Sequence, residues 1–210
     1  MVDVAVVDYG MGNLRSVEQA LRKVAPAAEI AVSDDAGVIA NARRVVFPGQ
    51  GAMPDCMREL ESRGLRDAVL QAARNKPFLG ICIGLQMLFE HSTEGDVAGL
   101  GVLRGKVVRF AKDLRDAQGN RLKVPHMGWN RVHHGDHALW NGIEQDARFY
   151  FVHSYYVCPQ DASLVQGASD YPQPFVCAVA QDNLFAVQFH PEKSQTAGLK
   201  LLQNFVQWNP

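Results

Sequence analysis

Gly80-Ile81-Cys82-Ile83-Gly84 sets a nucleophile between two glycines, where an apolar run gives way to a helical pattern. This is the G-x-nucleophile-x-G spacing of a nucleophile elbow, with sulfur in place of the serine oxygen. The glycines let neighbouring backbone approach a tight turn. That turn lifts the thiol out of a sheet, and the N-terminus of the following helix favours the thiolate. The Ile83 N–H, at the helix start, points to where an oxyanion would form. The plainer reading of the same five residues is a buried structural cysteine between packing glycines.

A thiolate needs a base, and seven histidines are present. His190 stands apart because it ends the apolar run Leu184 to Phe189 and opens His190-Pro191-Glu192. Residues i and i+2 of an extended chain face the same side, so His190 and Glu192 are predicted to lie together. The carboxylate then holds the imidazole tautomer and stabilises the imidazolium. Pro191 fixes its own φ and biases His190 towards an extended conformation. Without Cys82, an edge histidine beside a solvated glutamate is the better account. With it, the three make a nucleophile, a base and an orienter. Pro48-Gly49-Gln50-Gly51 follows another apolar run, and its glycines free backbone N–H groups to approach an oxyanion or an extended substrate. An ordinary strand-to-helix loop is the other reading.

These residues need a frame. Val2 to Val7, Glu29 to Val32, Arg44 to Phe47 and Phe78 to Ile81 read as short strands. Between them lie helical patterns. Asn13 is placed to cap a helix with Leu14, Val17, Leu21 and Val24 on one stripe, ended by Pro26. Two helical segments split near Gly64, the second carrying Leu65, Val69 and Ala72, and Gly84 to Glu90 reads as helical. Alternating strands and helices imply parallel βαβ units. In the second half the period changes. Val102 to Phe110, Arg121 to Val132, Arg148 to Val157, Phe175 to Gln181 and Leu184 to Phe189 read as strands. Asp182-Asn183 reads as a hairpin turn, and Thr196 to Val206 as a last helix. The expectation is one continuous α/β domain over 1–210, a mostly parallel sheet with flanking helices and an antiparallel extension.

Composition bounds the function. The 210 residues are 47% hydrophobic and 20% charged, ordinary globular usage that excludes disorder. Lys+Arg 21 against Asp+Glu 22 leaves a net charge of -1, with no general attraction for nucleic acid or anionic membrane. A chain of this size removes roughly 70% of its unfolded surface from water and needs no disulfide or metal staple. The four cysteines, Cys56, Cys82, Cys158 and Cys177, form no CxxC pair, so neither a zinc site nor a redox dithiol is expected. Free thiols fit a reducing compartment. No basic leader and no apolar run of membrane-spanning length is present, so the expected location is cytoplasmic.

Other features are weaker. Gly10-Met11-Gly12 begins a dinucleotide fingerprint, but position 15 is Arg rather than the third glycine. His133-His134 and His137 lie near Asp136 without metal-ligand spacing and read as a solvated loop. Trp129, Trp140 and Phe149-Tyr150-Phe151 read as core or interface.

Taken together, Pro48-Gly49-Gln50-Gly51, Gly80-Ile81-Cys82-Ile83-Gly84-Leu85-Gln86 and His190-Pro191-Glu192 resemble the class I (triad) glutamine amidotransferases. Three further stretches are similar to one branch, the glutaminase subunits of imidazole glycerol phosphate synthases in histidine biosynthesis. They are Asp8-Tyr9-Gly10-Met11-Gly12-Asn13-Leu14, Pro125-His126-Met127-Gly128-Trp129-Asn130 and Tyr150-Phe151-Val152-His153-Ser154-Tyr155. The segments span nearly the whole chain in order.

The resemblance implies a flavodoxin-like fold, and glutamine hydrolysis with Cys82 as nucleophile, His190 as acid–base and Glu192 as orienter, with no cofactor. It implies an oxyanion hole from the backbone of Gln50 and Ile83, and glutamine held by Gly49, Gly51, Gln86, Glu94, Ser154 and Tyr155. Glu94 suits the substrate's ammonium. The implied partner is a (β/α)₈-barrel cyclase subunit, joined as a heterodimer, that receives ammonia through a tunnel. Asn13, Met127, Gly128, Trp129 and Lys193 match stretches expected at that interface. Because the chain ends at Pro210 without a barrel, the partner is expected to be a separate polypeptide.

The resemblance also implies near-silence of the isolated chain, through an incomplete oxyanion hole in Pro48 to Gly51. Each such donor is typically worth ~10²–10³ in rate. The chain departs from the family at Gln50, where a small apolar residue, often Val, is usual. A polar side chain there is expected to tether the strand, so Gln50→Val should alter partner-stimulated turnover more than glutamine affinity. Three alternatives stay open at this point. They are an amidotransferase subunit for anthranilate, aminodeoxychorismate or pyridoxal phosphate synthesis, a Cys-His peptidase or amidase of related fold, and a non-catalytic scaffold for a barrel.

Overall fold

Runs such as Val4 to Val7 are apolar throughout because their strands are covered on both faces. The computed structural model describes residues 2–210. In chain order the first half forms β1 (Val4–Val7), α1 (Leu14–Val24), β2 (Ile30–Ser33), α2 (Ala36–Asn41), β3 (Arg44–Phe47), α3 (Met53–Ser62), α4 (Arg66–Asn75), β4 (Phe78–Ile81) and α5 (Ile83–Met87). The second half forms β5 (Phe89–Ser92), β6 (Val97–Ala98), β7 (Leu103–Arg109), β8 (His126–Arg131), β9 (His133–His134), β10 (Arg148–His153), β11 (Tyr155–Pro159), β12 (Val165–Asp170), β13 (Pro174–Gln181), β14 (Leu184–Val187) and α6 (Gln195–Gln207).

The main sheet runs β2-β1-β3-β4-β14-β13-β11-β7-β5-β6, with β12 beside β13. From β2 through β14 every pairing is parallel. That half has the doubly wound order whose ligands sit at the carboxyl ends of the strands, near the reversal between β1 and β3. Beyond β14 the pairings of β13, β11 and β7 are antiparallel, as the extension predicted. Alternate residues feed two cores. Val7, Val45, Phe47 and Phe78 face α3, α4 and α5. Val4, Val6, Val46, Leu79 and Ile81 face α1 and α6. Leu21, wholly buried in the second core, contributes about 1.5–3 kcal/mol by area removed from water.

Several expectations need correction. Helix α5 stops at Met87 and the chain turns into β5, instead of staying helical to Glu90. The Met87, Leu88 and Phe89 carbonyls are taken by the N–H groups of Leu100, Val102 and Gly101, which outcompete a longer helix. The strand expected over 121–132 begins at His126, because Pro125 has no N–H to give a ladder. The strand expected over 148–157 is broken at Ser154 into β10 and β11, which belong to different sheets. Asn13 sits at the start of α1 but its side chain makes no capping bond. His133 and His134 form β9 against β12, and His134 stacks on Trp140 with ring centroids 4.7 Å apart, so they are not a solvated loop. Helix α2, capped by Asp35 Oδ1 from Gly37 N–H, and the strands β5, β6 and β12 were not anticipated.

Candidate active site

The expected nucleophile, base and oxyanion loop lie at the carboxyl ends of the parallel strands: Pro48 to Gly51 after β3, Cys82 after β4 and His190 after β14, with Tyr9 beside them after β1, whereas Glu94, Ser154 and Tyr155 come from the second half of the chain. Cys82 has φ 57 and ψ -111, a left-handed conformation for a non-glycine residue. Such a turn costs on the order of 1–3 kcal/mol and persists only where its surroundings hold it. Here Cys82 N–H donates to the Val187 carbonyl at 2.8 Å, and the Cys82 carbonyl accepts from Leu85 N–H at 3.0 Å. The flanking glycines are required by space. A Cβ on Gly84 would stand 2.0 Å from the Phe47 carbonyl oxygen, and one on Gly80 2.9 Å from the Ala186 Cβ. Ile83 N–H, first in α5, has no carbonyl one turn back to bond.

His190 Nδ1 and Glu192 Oε1 stand 2.8 Å apart, with both side chains almost wholly buried. The expected pairing is present but its backbone differs. His190 is extended, while Pro191–Lys193 forms a single 3-10 turn that swings Glu192 back under the ring. Burial opposes the imidazolium. The Cys82 sulfur and the Glu192 carboxylate outweigh it and push the His190 pKa up to about 10. The other ring nitrogen, Nε2, is buried and makes no hydrogen bond. Cys82 and His190 therefore share one buried electrostatic site, with Glu192 behind the ring.

The loop after β3 lies against the elbow. A Cβ on Gly49 would fall 1.8 Å from the Tyr9 hydroxyl and 2.5 Å from Ile83 Cγ2. Gly51 has φ +119, where only glycine is unstrained. The Gln50 side chain is exposed, and the expected tether is not made by it. The backbone is tethered instead: the Cys56 thiol donates to the Gln50 carbonyl at 3.7 Å. Burial pushes the Cys56 pKa up to about 11, which keeps the S–H that this bond requires.

These elements enclose a cavity of about 260 Å³ lined by Gln50, Gly51, Cys82, Ile83, Gln86, Glu94, Ser154, Tyr155 and His190, among others. Gly49 lies just behind this wall. Glu94 Oε2 accepts from Met53 N–H at 2.9 Å, which fixes the carboxylate at the rim. Among the residues expected at a partner interface, Met127 and Trp129 are the large apolar side chains most exposed to solvent, at 61% and 44%. Gly128 between them has open space on its Cβ side. Asn13 is exposed and Lys193 half-buried. The turn carrying Lys193 packs on both α1 and β10, and β10 pairs with β8, so these residues lie on touching elements. Gly10 and Gly12 serve packing, against Arg63 and the Gly49 backbone.

Sequence reasoning missed three buried polar side chains beside the site. Gln188 is wholly buried, and His126 and His153 nearly so. Spacing carries no signal for the bonds of Gln188 to Gln86 and Cys82 or of His126 to His153, since those partners lie 102, 106 and 27 residues away in the chain. Burial pushes the His126 pKa down to about 4. It pushes that of His153 down to about 3, against the bond to the Tyr155 carbonyl and with help from the His126 and His190 charges.

Residues 5–208 match the family model of glutamine amidotransferase class-I. The chain is 65% identical over 211 residues to the imidazole glycerol phosphate synthase subunit HisH of Thiobacillus denitrificans, covering 100% of this chain and 92% of that one. It is 64% identical to the subunit of the same name from Nitrosospira multiformis, with complete coverage of both. Among solved structures it is similar to a glutamine amidotransferase at TM-score 0.73, with 18% identity, covering 98% of this chain and 97% of that chain. A Thermotoga maritima glutamine amidotransferase matches at TM-score 0.60 and 17% identity, over 91% and 76%. These last two show the fold alone.

Proposed function

This chain belongs to the class I glutamine amidotransferase family, and from that premise we propose that it is the glutaminase subunit of an imidazole glycerol phosphate synthase, its residues 1–210 forming one glutaminase domain. One observation carries the chemistry: Cys82, raised on a left-handed turn, shares a buried site with His190, whose ring Glu192 holds at 2.8 Å. The proposed substrate is L-glutamine, seated between Glu94, Gln86, Ser154 and Tyr155.

The Cys82 thiolate attacks the side-chain carbonyl carbon, and its oxygen takes up the negative charge beside the N–H groups of Ile83 and Gln50. The C–N bond breaks, and the His190 imidazolium gives its proton to the departing nitrogen, which leaves as ammonia. A thioester remains. Water then loses a proton to His190 and attacks the thioester carbon; the C–S bond breaks, releasing glutamate and returning the thiolate. Glu192 keeps the proton-carrying ring nitrogen facing the reaction throughout.

Ammonia passes to a cyclase subunit bound over the Met127–Trp129 face. The barrel fold of that subunit and a one-to-one complex are part of the proposal. The complex yields imidazole glycerol phosphate and the aminoimidazole carboxamide ribotide. Among the described residues no helix is long and apolar enough to cross a membrane. The proposed location, as for a biosynthetic enzyme acting on soluble metabolites, is the cytoplasm.

Glutamate release from glutamine tests the reading, with the chain alone, with the cyclase plus its nucleotide ligand, and with Cys82→Ala. Near-silence alone and strong Cys82-dependent release in the mixture are expected. High activity alone, indifferent to the cyclase, would keep the thiol chemistry and reject the synthase.

A further inference from the structure

We propose that Gln188 is a further catalytic residue of this site: its side-chain amide donates a hydrogen bond to the Cys82 sulfur, and the Tyr155 carbonyl, acting through the Gln86 amide, fixes it so that its donor faces the thiol. The inference rests on Cys82 being the nucleophile.

The direction of the bond follows from a chain of partners. The Tyr155 carbonyl oxygen only accepts. Gln86 Nε2 stands 3.1 Å from it, so this end of the Gln86 amide must be the NH₂. The same nitrogen stands 3.0 Å from the Gln188 side chain, so the atom it meets must be an acceptor, Oε1. The opposite end of the Gln188 amide is then its NH₂, and it lies 3.7 Å from Cys82 Sγ, ordinary for an N–H donor on sulfur. Reversing either amide would set two NH₂ groups or two oxygens against each other in a site closed to water. Gln188 is wholly buried and Gln86 3% exposed, so no solvent is at hand to relieve such a clash.

A donor on sulfur stabilises the thiolate over the thiol, and hydrogen bonds to charged groups are the strong ones. It also leaves the sulfur lone pair on the cavity side free for the substrate. His190 and the Ile83 N–H supply positive potential from other directions. Tyr9 and Cys56 face the sulfur from behind as neutral groups, because burial keeps both protonated. The carboxylates of Glu94, at the cavity rim, and Glu192, behind His190, oppose the thiolate. Gln188 is the donor that reaches the sulfur from the residue directly after β14, the strand paired with β4.

The test reads the thiol itself and needs no glutamine. Iodoacetamide alkylation of the Cys82 peptide is followed by mass spectrometry between pH 5 and 10, which separates Cys82 from the other three cysteines. Gln188→Met removes the donor at similar volume. Its alkylation near neutral pH should fall about tenfold while the alkaline plateau stays, a displacement of the whole profile to higher pH. Glutaminase kcat should fall at least as far, with KM for glutamine changed by less than about twofold. Gln188→Glu keeps the shape and the bond from Gln86 but sets a carboxyl oxygen against the sulfur, so its profile should move the same way and further. Parent-like profiles in both variants overturn the proposal, as does a slower Gln188→Glu plateau with no pH displacement. Glutaminase activity that survives Cys82→Ala would sink the proposed function instead, and the alkylation comparison would still read the Gln188 bond.

Discussion

His126 Nδ1 donates to His153 Nε2 across 3.0 Å, and both ends of this pair are pinned by groups whose roles are unambiguous. His153 Nδ1 lies 2.8 Å from the Tyr155 carbonyl and must carry its proton. Asn130 Oδ1 accepts from Arg131 N–H and Asn130 Nδ2 donates to the Asp170 carbonyl, so the amide that meets His126 Nε2 at 3.3 Å is a donor. Each ring is thereby held neutral in one tautomer. A proton added to either would set two N–H groups face to face.

Acid should therefore unfold this protein through these rings. Their folded pKa values, about 4 and about 3, lie below the ordinary value of 6.5, so the unfolded chain binds the protons first. Their stabilisation is complete above 6.5 and is lost as pH falls towards those values, by on the order of 1 kcal/mol per ring per pH unit. Urea unfolding between pH 6.5 and 5 should show this slope, and His126→Gln should flatten it by about half. An unchanged slope would count against the pinned pair.

Two glycines make different demands and should fail differently. Gly84→Ala drives a Cβ to 2.0 Å from the Phe47 carbonyl oxygen, a backbone atom fixed in β3, and should destabilise the fold by about 1–3 kcal/mol or more. Gly49→Ala strikes the ends of two buried side chains beside the loop, the Tyr9 hydroxyl at 1.8 Å and Ile83 Cγ2 at 2.5 Å, which can shift only by moving the loop against the elbow, so activity should fall further than stability. Adding Tyr9→Phe should recover part of the Gly49→Ala activity. No recovery at all would remove Tyr9 from the account.

Glu192→Gln should lower kcat roughly 10²–10⁴-fold with glutamine affinity little changed. The raised His190 pKa holds its imidazolium through neutrality, a stabilisation present in full below 6.5 and lost as pH rises through about 10. Without the carboxylate that loss should begin at lower pH. Histidine NMR titrations of the parent and the variant give both positions, and coincident curves would contradict the pairing.

The Cys56 thiol, rather than the Gln50 side chain, ties down the loop after β3. Cys56→Ala should therefore alter cyclase-stimulated turnover more than glutamine affinity, and Gln50→Val should change it less than Cys56→Ala does. Single-turnover and steady-state glutaminase assays on the complex separate the two parameters. A larger effect from Gln50→Val would restore the side-chain tether.

The parallel half of the sheet was legible in the sequence because buried runs such as Arg44 to Phe47 and Phe78 to Ile81 end in glycine-bearing turns. Those same turns carry Cys82 and the loop after β3, so half of the candidate site came with the strands. His190 and Glu192 were legible as neighbours, although the chain after the extended His190 enters a 3-10 turn at Pro191 and Glu192 lies in that turn instead of a strand. The break at Ser154 was not legible, since the run Arg148 to Val157 keeps its apolar alternation straight through it. Gln188 was hidden for another reason: its meaning lies in Gln86, 3.0 Å away in space and on a different element. Polar groups that only satisfy one another leave no periodicity behind.

Ser154 is where the chain steps off the small β8–β10 sheet and onto the large one. Val152 and His153 ride on the first, Tyr155 on the second, and all three line the same cavity as Ser154 itself. A molecule seated there touches both sheets at once. Met127 and Trp129 ride on β8, the strand paired with β10, so the exposed face and one side of the cavity wall belong to the same two-stranded unit.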